Sequence, residues 1–161
     1  MNSLIPTFDQ FDFAALEQSD PVVHPNAEIC LKIDLIPTKL NRRVAVGIID
    51  ETGTKGIAVA IYPATGEVCD LSHGGGVMGY LDKAPLDPSA PISCDLTIYR
   101  FGRNFVCSVR IQGETFLYPA YVSDETSMMR AVVGKEKGQD EHGAPTWNRL
   151  CFDVLEMPIA A

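Results

Sequence analysis

The stretch Leu96–Val122 constrains the fold more than any other, because it holds three runs of strand-like alternation joined by two short turns. In the middle run, Phe105–Ile111, the odd-numbered positions form an apolar face, and this period of two places one set of side chains on a core. The turns contain Gly102 and Gly113, whose neighbours tolerate positive φ, so the chain can reverse at both places. The stretch therefore predicts an antiparallel β-meander.

Shorter strand patterns recur before and after this meander, and proline or glycine separates them. In the first, Leu31, Ile33 and Leu35 share one face, and the run ends at Pro37, which cannot donate to a β-ladder. Many short alternating runs separated by turns are typical of an all-β, antiparallel sandwich of the jelly-roll or concanavalin A-like kind, here with roughly eight to ten strands. The other predicted strands are Arg43–Ile49, Gly56–Tyr62, Glu67–Leu71 and Leu150–Leu155.

The N-terminal residues predict a short helix in front of this β-structure. Thr7 and Gln10 have the spacing of a capping box, so we expect a helix over Phe8–Gln18. The length of 161 residues fits one domain, because a chain of this size buries enough surface for a single core. We place that domain at residues 27–161 and expect residues 1–26 to form an arm that covers an edge of the β-structure.

Two segments predict loops instead of strands. Residues 123–147 lack alternation apart from a short apolar piece, Met128–Val133, and long loops in compact domains are often functional. The glycine-dense run Ser72–Gly79 lacks both the Lys-Ser/Thr pair and the glycine order of phosphate-binding motifs. We therefore expect a bend or bulge in that run and no phosphate site.

Composition and charge exclude several classes of partner. A net charge of −8 repels a phosphate backbone and no run of Lys and Arg offsets it, so no nucleic-acid partner is expected. No stretch approaches the ~20 apolar residues of a membrane span, and no secretory signal is visible, so we expect no membrane association. Five cysteines without a CxxC pair indicate free thiols in a reducing compartment, which predicts a cytoplasmic protein.

The residue types predict neither a catalytic nor a metal site. His24, His73 and His142 lie far apart in the sequence and lack metal-ligand spacing. Asp70 and Ser72 beside His73 are the residue types of a hydrolytic triad, but sequence neighbours seldom supply its geometry and no nucleophile-elbow motif is present. We therefore predict that the protein is not an enzyme and uses no cofactor.

Aromatic and arginine residues provide candidates for binding. Tyr80, Tyr99 and Trp147 offer ring faces, and this composition is typical of protein-interaction hot spots and of sugar-stacking surfaces when donors lie nearby. Arg100 and Arg103 supply such donors, and Tyr99 and Arg103 flank the same turn. The alternative interpretation is that Tyr99 is half-buried on its strand while both arginines pair with surface acids. These five residues form the predicted partner-binding set.

Three short motifs resemble the pattern of SPRY domains, which are concanavalin A-like β-sandwiches. They are Val46–Ile48 in an early strand, Thr65–Glu67 at the start of a middle strand, and Leu117–Ala120 (Leu-Tyr-Pro-Ala) at the end of the meander. The resemblance covers roughly Val44–Val122. It implies two bent antiparallel sheets and a recognition surface made by loops at one end, and it implies no enzyme chemistry.

These observations leave three hypotheses for function. The leading one is a non-enzymatic recognition module that binds a protein partner through surface loops. The second is a lectin-like domain that binds carbohydrate, for which stacked Tyr or Trp and polar ligands are needed. The third is a structural subunit that assembles into a homo-oligomer, with the N-terminal arm reaching a neighbour. Binding that survives competing sugar but is lost when Tyr80 or Trp147 becomes alanine favours the first.

Overall fold

The computed structural model describes residues 10–15, 27–50, 56–71, 76–87, 89–101, 104–120, 129–137 and 146–156. Within these ranges the chain forms eleven β-strands. In chain order they are β1 (Phe11–Ala15), β2 (Ala27–Ile36), β3 (Val44–Asp50), β4 (Gly56–Tyr62), β5 (Glu67–Asp70), β6 (Gly76–Tyr80), β7 (Ile92–Phe101), β8 (Asn104–Ile111), β9 (Glu114–Ala120), β10 (Met129–Glu136) and β11 (Thr146–Glu156).

The strands form two sheets in which all neighbours are antiparallel. The six-stranded sheet has the order β1-β10-β3-β4-β5-β6, and the five-stranded sheet has the order β11-β2-β7-β8-β9. Together they make a β-sandwich, so the predicted fold class is confirmed. In the part of the chain that the structure describes, no helix is long and apolar enough to cross a membrane.

A core made mostly of Val, Ile and Leu side chains lies between the two sheets. Period-two alternation in β2, β3 and β4 turns every second side chain inward, and these inward side chains are Val, Ile or Leu. Complete burial of each such side chain stabilises the fold by about 1.5–3 kcal/mol relative to exposure. The largest fully buried members are Leu31, Ile33, Leu35, Val44, Ile48, Ile57, Ile61, Ile92, Leu96 and Ile111.

The predicted meander is present as β7, β8 and β9, which are consecutive neighbours in the five-stranded sheet. Its second turn has Gln112 at φ 52° and Gly113 at φ 85°. Two successive positive φ values give the backbone twist that matches a tight hairpin, which is why glycine is present there. The predicted turn at Gly113 is therefore confirmed, whereas Gly102 and Arg103 lie outside the described residues.

The helix predicted over Phe8–Gln18 is wrong where the structure describes that segment, because Phe11–Ala15 form strand β1. This strand pairs with β10 at the edge of the six-stranded sheet. Phe11 and Phe13 then lie on the same face with ring centroids 6.0 Å apart. Burial of the Phe11 ring and packing of the partly buried Phe13 ring on a sheet stabilise more than the capping box, whose contribution is about 1 kcal/mol. The division of the chain at residue 26 stays a prediction.

The long loop predicted over residues 123–147 is also wrong in its middle. Met129–Glu136 form β10, which lies between β1 and β3. The alternation is hard to read because Ala131, Val132 and Val133 are all buried, so both faces of the strand are covered and the pattern becomes a short apolar run. The end of the glycine-rich run is strand β6, whose pairing with β5 contains the expected bulge.

Candidate functional site

The structure distributes the predicted binding residues over both sheets. Tyr80 ends β6, an edge strand of the six-stranded sheet. Tyr99 and Arg100 belong to β7, and Trp147 belongs to β11, both in the five-stranded sheet. Arg103 lies outside the described residues. Tyr80 therefore does not share a sheet with the other described candidates.

The backbone register also separates Trp147 from Tyr99. Trp147 pairs with Leu35 of β2, and Leu35 pairs on its other side with Ile92 of β7. Tyr99 lies seven residues further along β7 than Ile92. At about 3.3 Å per residue the two backbone positions are about 23 Å apart, so these residues belong to different ends of the sheet. Whether any of them binds a partner stays a prediction.

The outer face of the six-stranded sheet carries a second, smaller core. Most of its side chains are small, and Phe13 packs against them. Small residues are required here because neighbouring groups approach closely: a Cβ on Gly47 would lie 2.3 Å from the carbonyl oxygen of Ile57, and one on Gly134 would lie 2.8 Å from the ring of Phe13. The buried members of this outer core are Phe11, Ala45, Ala58, Ala60, Cys69 and Leu71.

At one end of this outer face, the strand register aligns a row of polar and aromatic residues. Glu67 of β5 is paired with Tyr62 of β4 on one side and with Tyr80 of β6 on the other. Because Val44 pairs with Ile61, the next positions outward are Arg43 and Tyr62. The pairing of Val44 with Lys135 likewise places Glu136 beside Arg43. We call Glu136, Arg43, Tyr62, Glu67 and Tyr80 the rim row.

Arg43 is the centre of the rim row. Its Nη1 donates to Oε2 of Glu136 at 3.1 Å, and its Nη2 lies 3.6 Å from Oε1 of Glu67. The guanidinium carbon lies 4.8 Å from the ring centroid of Tyr62, a cation–π distance. Nε of Arg43 is buried and has no hydrogen-bond partner in the described part of the chain. The guanidinium is thus held by two carboxylates and one ring that come from β10, β5 and β4 of the same sheet.

Cys69 supports the position of Glu67 from within the outer core. Its Sγ donates to Oε1 of Glu67 at 3.1 Å. Burial raises the pKa of the Cys69 thiol from its ordinary 9.0 to about 12, and the hydrogen bond to Glu67 raises it further in the same direction. The thiol stays protonated at neutral pH, so it acts as a donor to Glu67 and not as a nucleophile.

The rim row also presents groups that can receive a ligand. The side chains of Arg43, Glu67 and Glu136 keep 17%, 13% and 20% of their surface exposed, whereas Tyr80 is 58% exposed. A carboxylate oxygen can accept more than one hydrogen bond, so Glu67 and Glu136 keep acceptor capacity beside their contacts with Arg43. The row therefore offers two carboxylate acceptors in fixed positions and one accessible ring.

Metal chemistry finds no support in the described ranges, where no three His, Cys, Asp or Glu side chains lie close enough to hold an ion. His73 and its neighbour Ser72 lie outside those ranges. Asp87, another acid near this end, has its pKa lowered by hydrogen bonds from Ser89, which is the ordinary behaviour of a turn aspartate. The arrangement at the rim row is suited to binding.

Sequence reasoning missed four members of the rim row: Arg43, Tyr62, Glu67 and Glu136. Each lies at the first or last position of a strand or next to it, where a charged or tyrosine side chain is easily interpreted as a solvated turn residue. The only signal available was that Arg43, Tyr62 and Glu67 each continue the small-residue face of their strands. That signal becomes useful only when the strand order is known.

No protein-family model matches the chain, and no curated protein matches its sequence significantly. Solved structures do share its architecture. The carbohydrate binding module CBM66 from Bacillus subtilis superposes with a TM-score of 0.51 at 12% identity, over 89% of this chain and 82% of that chain. The Emp47p carbohydrate recognition domain gives a TM-score of 0.53 at 8% identity, over 94% of each chain. The fold is therefore a lectin-type β-sandwich, while the narrower resemblance to SPRY domains stays a prediction.

Proposed function

We propose that this protein is a non-catalytic carbohydrate-binding domain that holds an oligosaccharide along the rim row. The observation that carries the proposal is the anchored guanidinium of Arg43 between Glu67 and Glu136, with the accessible ring of Tyr80 in register at the sheet edge. The two similar structures are a carbohydrate binding module and a carbohydrate recognition domain. Because they share this fold, they support carbohydrate as the class of ligand.

The chemistry of a sugar ring fits these groups. Its apolar C–H face stacks on an aromatic ring such as Tyr80, and its hydroxyl groups donate to carboxylate oxygens in charge-assisted hydrogen bonds. Arg43 holds both carboxylates in place before any ligand arrives. Such preorganisation lowers the entropy that must be lost on binding, which matters for a ligand that makes mostly polar contacts.

The length of the rim row suits an oligosaccharide more than a single sugar. From Glu136 on β10 to Tyr80 on β6 the row crosses four gaps between neighbouring strands. At about 4.8 Å per gap this is about 19 Å, so several sugar units can lie across the strands. Binding strength should therefore rise with the number of units in the ligand.

A glycan array followed by calorimetry on the best ligand tests the proposal. Arg43→Met removes the guanidinium and Tyr80→Ala removes the ring, and each should weaken binding at least about tenfold, which corresponds to about 1.4 kcal/mol. Arg110→Met is the matched control, because Arg110 is an exposed arginine on β8 of the other sheet. Melting curves of all variants establish that they are folded. An array without any bound glycan, or equal losses in the Arg110 control, would contradict the proposal.

The protein-binding hypothesis predicts a different result. A partner bound through the predicted set of Tyr80, Tyr99, Arg100, Arg103 and Trp147 should be lost in Trp147→Ala and retained in Arg43→Met, because Trp147 lies on the five-stranded sheet whereas Arg43 lies next to β3 of the six-stranded sheet. We also retain the cytoplasmic location as a proposal, since Cys30, Cys69 and Cys94 are free thiols. Assembly into a homo-oligomer remains a prediction that light scattering at two concentrations tests.

A further inference from the structure

The edge strand β6, with the sequence GVMGY, differs from the other strands at the edges of the two sheets. Natural edge strands often carry charged residues or proline, which oppose pairing with another chain. Of the four edge strands that the structure describes, β1 contains Asp12, β9 contains Glu114 and Pro119, and β11 contains several charged residues. β6 contains neither a charged residue nor proline. It is therefore the edge that least opposes pairing with a further strand.

β6 also exposes two large apolar side chains. Val77 is 46% exposed and Tyr80 is 58% exposed. Val77 pairs with Cys69 of the outer core. Tyr80 pairs with Glu67 of the rim row. Because paired residues share a face, Val77 and Tyr80 both lie on the outer face of the six-stranded sheet. This edge therefore presents two apolar side chains to solvent beside the unpaired backbone groups of an edge strand.

The bulge in β6 gives its side chains a symmetric order of faces. Met78 is the residue that the register with β5 skips, and it packs against the main core. A Cβ on Gly79 would lie 2.7 Å from the Phe116 ring of β9, so this position also faces inward. The order of faces from Val77 to Tyr80 is therefore outward, inward, inward, outward. The order is the same in both directions, as antiparallel pairing of two identical strands requires.

We infer that two copies of this chain associate through β6, with the two strands antiparallel and a two-fold axis between Met78 and Gly79. In this register Val77 of each copy lies opposite Tyr80 of the other, and Met78 lies opposite Gly79. A β-branched residue opposite an aromatic one is a favourable cross-strand pair, and the symmetry forms it twice. Met78 then lies next to the Phe116 ring of the second copy, where its sulfur can contact the ring.

The charge distribution permits a second copy at this edge. Each copy has a net charge of −8, so two copies repel one another at long range. Because β6 has no charged residue, no like charges of the two strands face each other in the contact. The first charged residues after β6 are Asp82 and Lys83, which have opposite signs. Salt screens the long-range repulsion, so association should become stronger as the salt concentration rises.

The contact is small, and the dimer should therefore be weak. Five residues at about 3.3 Å each make a contact about 17 Å long, and the sheets of a sandwich lie about 10 Å apart. An edge of this size buries less than the roughly 1,600 Å² of a standard interface. The bulge also disrupts the ladder locally. We therefore expect a dissociation constant on the order of 100 μM, as for other small and transient interfaces.

The dimer goes beyond the proposed function and does not depend on it. A two-fold axis perpendicular to the sheet joins the six-stranded sheets of both copies and keeps their outer faces on the same side. Tyr80 stays on that face, so both rim rows are presented together. A surface that carries many copies of a ligand can then occupy both rows at once, which raises the apparent affinity without any new contact.

Sedimentation equilibrium of the unmodified protein tests the association. Concentrations from about 10 μM to about 1 mM are needed, because mass action makes a weak dimer depend on concentration. The average mass should rise from that of one chain towards that of two, and the rise should begin at lower concentration when more salt is present. A mass of one chain throughout overturns the inference, and so does a mass that continues to rise beyond two chains.

A pair of lysine variants tests whether β6 is the contact. Val77→Lys should weaken association at least about tenfold, because lysine on an edge strand opposes pairing. Leu40→Lys is the matched control, since it makes the same change of charge at another exposed apolar residue, between β2 and β3; association should persist there. Melting curves establish that both variants are folded. Equal weakening in the two variants overturns the inference.

Hydrogen exchange locates the contact in the unmodified protein, so this test does not depend on the folding of a variant. On going from dilute to concentrated samples, the backbone amides of β6 should become more protected, whereas those of the opposite edge strand β1 should not change. Increased protection at β1 or β11 without any at β6 would assign the association to another edge and overturn the inference.

Discussion

The two faces of the six-stranded sheet are built from the same strands but have opposite composition. The inner face of β3 and β4 carries Val44, Val46, Ile48 and further branched residues that fill the space between the sheets. The outer face of the same strands carries Ala, Gly and, at the end, the polar rim row. The inner face stabilises the fold because its branched side chains fill the space between the sheets. The outer face has short side chains, and at one end it carries the rim row, whose polar and aromatic groups can bind a ligand.

This difference shows how one set of strands serves the fold and a candidate site together. Alternation assigns the two tasks to odd and even positions, so a change on one face leaves the register of the other intact. The following predictions test that separation, beginning with the change that should remove the most stability.

Truncation on the inner face should have the largest effect. Ile61 is completely buried in the main core, and Ile61→Ala should destabilise the protein by about 4 kcal/mol, because it loses apolar contacts and leaves a cavity. Ile61→Val, which removes one methylene, should cost about 1 kcal/mol. Urea unfolding measures both values. A loss below 1.5 kcal/mol in the alanine variant would mean that the core rearranges to fill the space.

A larger side chain on the outer face should cause the second-largest loss of stability. Gly47→Ala places a Cβ against the backbone of β4, 2.3 Å from the oxygen of Ile57 and 2.5 Å from Cα of Ala58, and backbone cannot move as a side-chain end can. We expect a loss of about 3 kcal/mol. Gly76→Ala is the matched control, since a Cβ there meets nothing within 4 Å. Urea unfolding of the pair checks this, and similar values for the two would contradict the close approach of β3 and β4.

Among the described residues, the outer core contains the buried thiol of Cys69 on β5, and the main core contains that of Cys94 on β7 of the five-stranded sheet. Both should respond to alkaline pH. Burial raises the pKa of Cys69 in the outer core to about 12 and raises that of Cys94 in the main core, so both thiols stay protonated in the folded protein at pH values where unfolded thiols ionise. Their contribution to stability is complete below pH 9.0 and is lost as the pH rises towards the folded values. Each thiol should lower stability by up to about 1.4 kcal/mol per pH unit in that window.

Variants assign this slope to individual thiols. Cys69→Ala and Cys94→Ala should each make the fall in unfolding free energy between pH 9 and 10.5 shallower than in the unmodified protein. Glu67→Gln should increase the reactivity of Cys69 with an alkylating reagent and leave Cys94 unchanged, because only the pKa of Cys69 depends on Glu67. An unaltered slope in Cys69→Ala would show that this thiol ionises normally in the folded state.

The contrast between the faces also explains how much the sequence could predict. Strands such as β2 and the meander strands β7, β8 and β9 have one apolar face, and their alternation is visible in the sequence. β10 is covered on both faces and β1 is short, so neither shows a readable period. The rim row depends on β10 lying between β1 and β3, a neighbour relation set by contacts distant in sequence. No local pattern contains that information, so the sequence alone does not predict Arg43 or Glu136 as site residues.

A substitution at Arg43 should change stability least among these predictions, while its effect on binding should be large. Arg43→Lys keeps the positive charge between Glu67 and Glu136 but loses the planar fork and the stacking on Tyr62. Because ion pairs that remain partly exposed contribute about 1 kcal/mol or less, the unfolding free energy should change by no more than about 1 kcal/mol. Glycan affinity should nevertheless fall at least about tenfold, since the two carboxylates are no longer held by one rigid group.

The measurement is urea unfolding and calorimetry on the same Arg43→Lys preparation, with Arg110→Lys on the other sheet as control. A large loss of stability with unchanged affinity would reverse the assignment, because Arg43 would then belong to the folding core and not to a binding site. A small loss of stability with weakened binding means that the outer face tolerates changes at its end that the inner face does not. In that case the rim row can vary in sequence to fit different glycans while the core of the sandwich is retained.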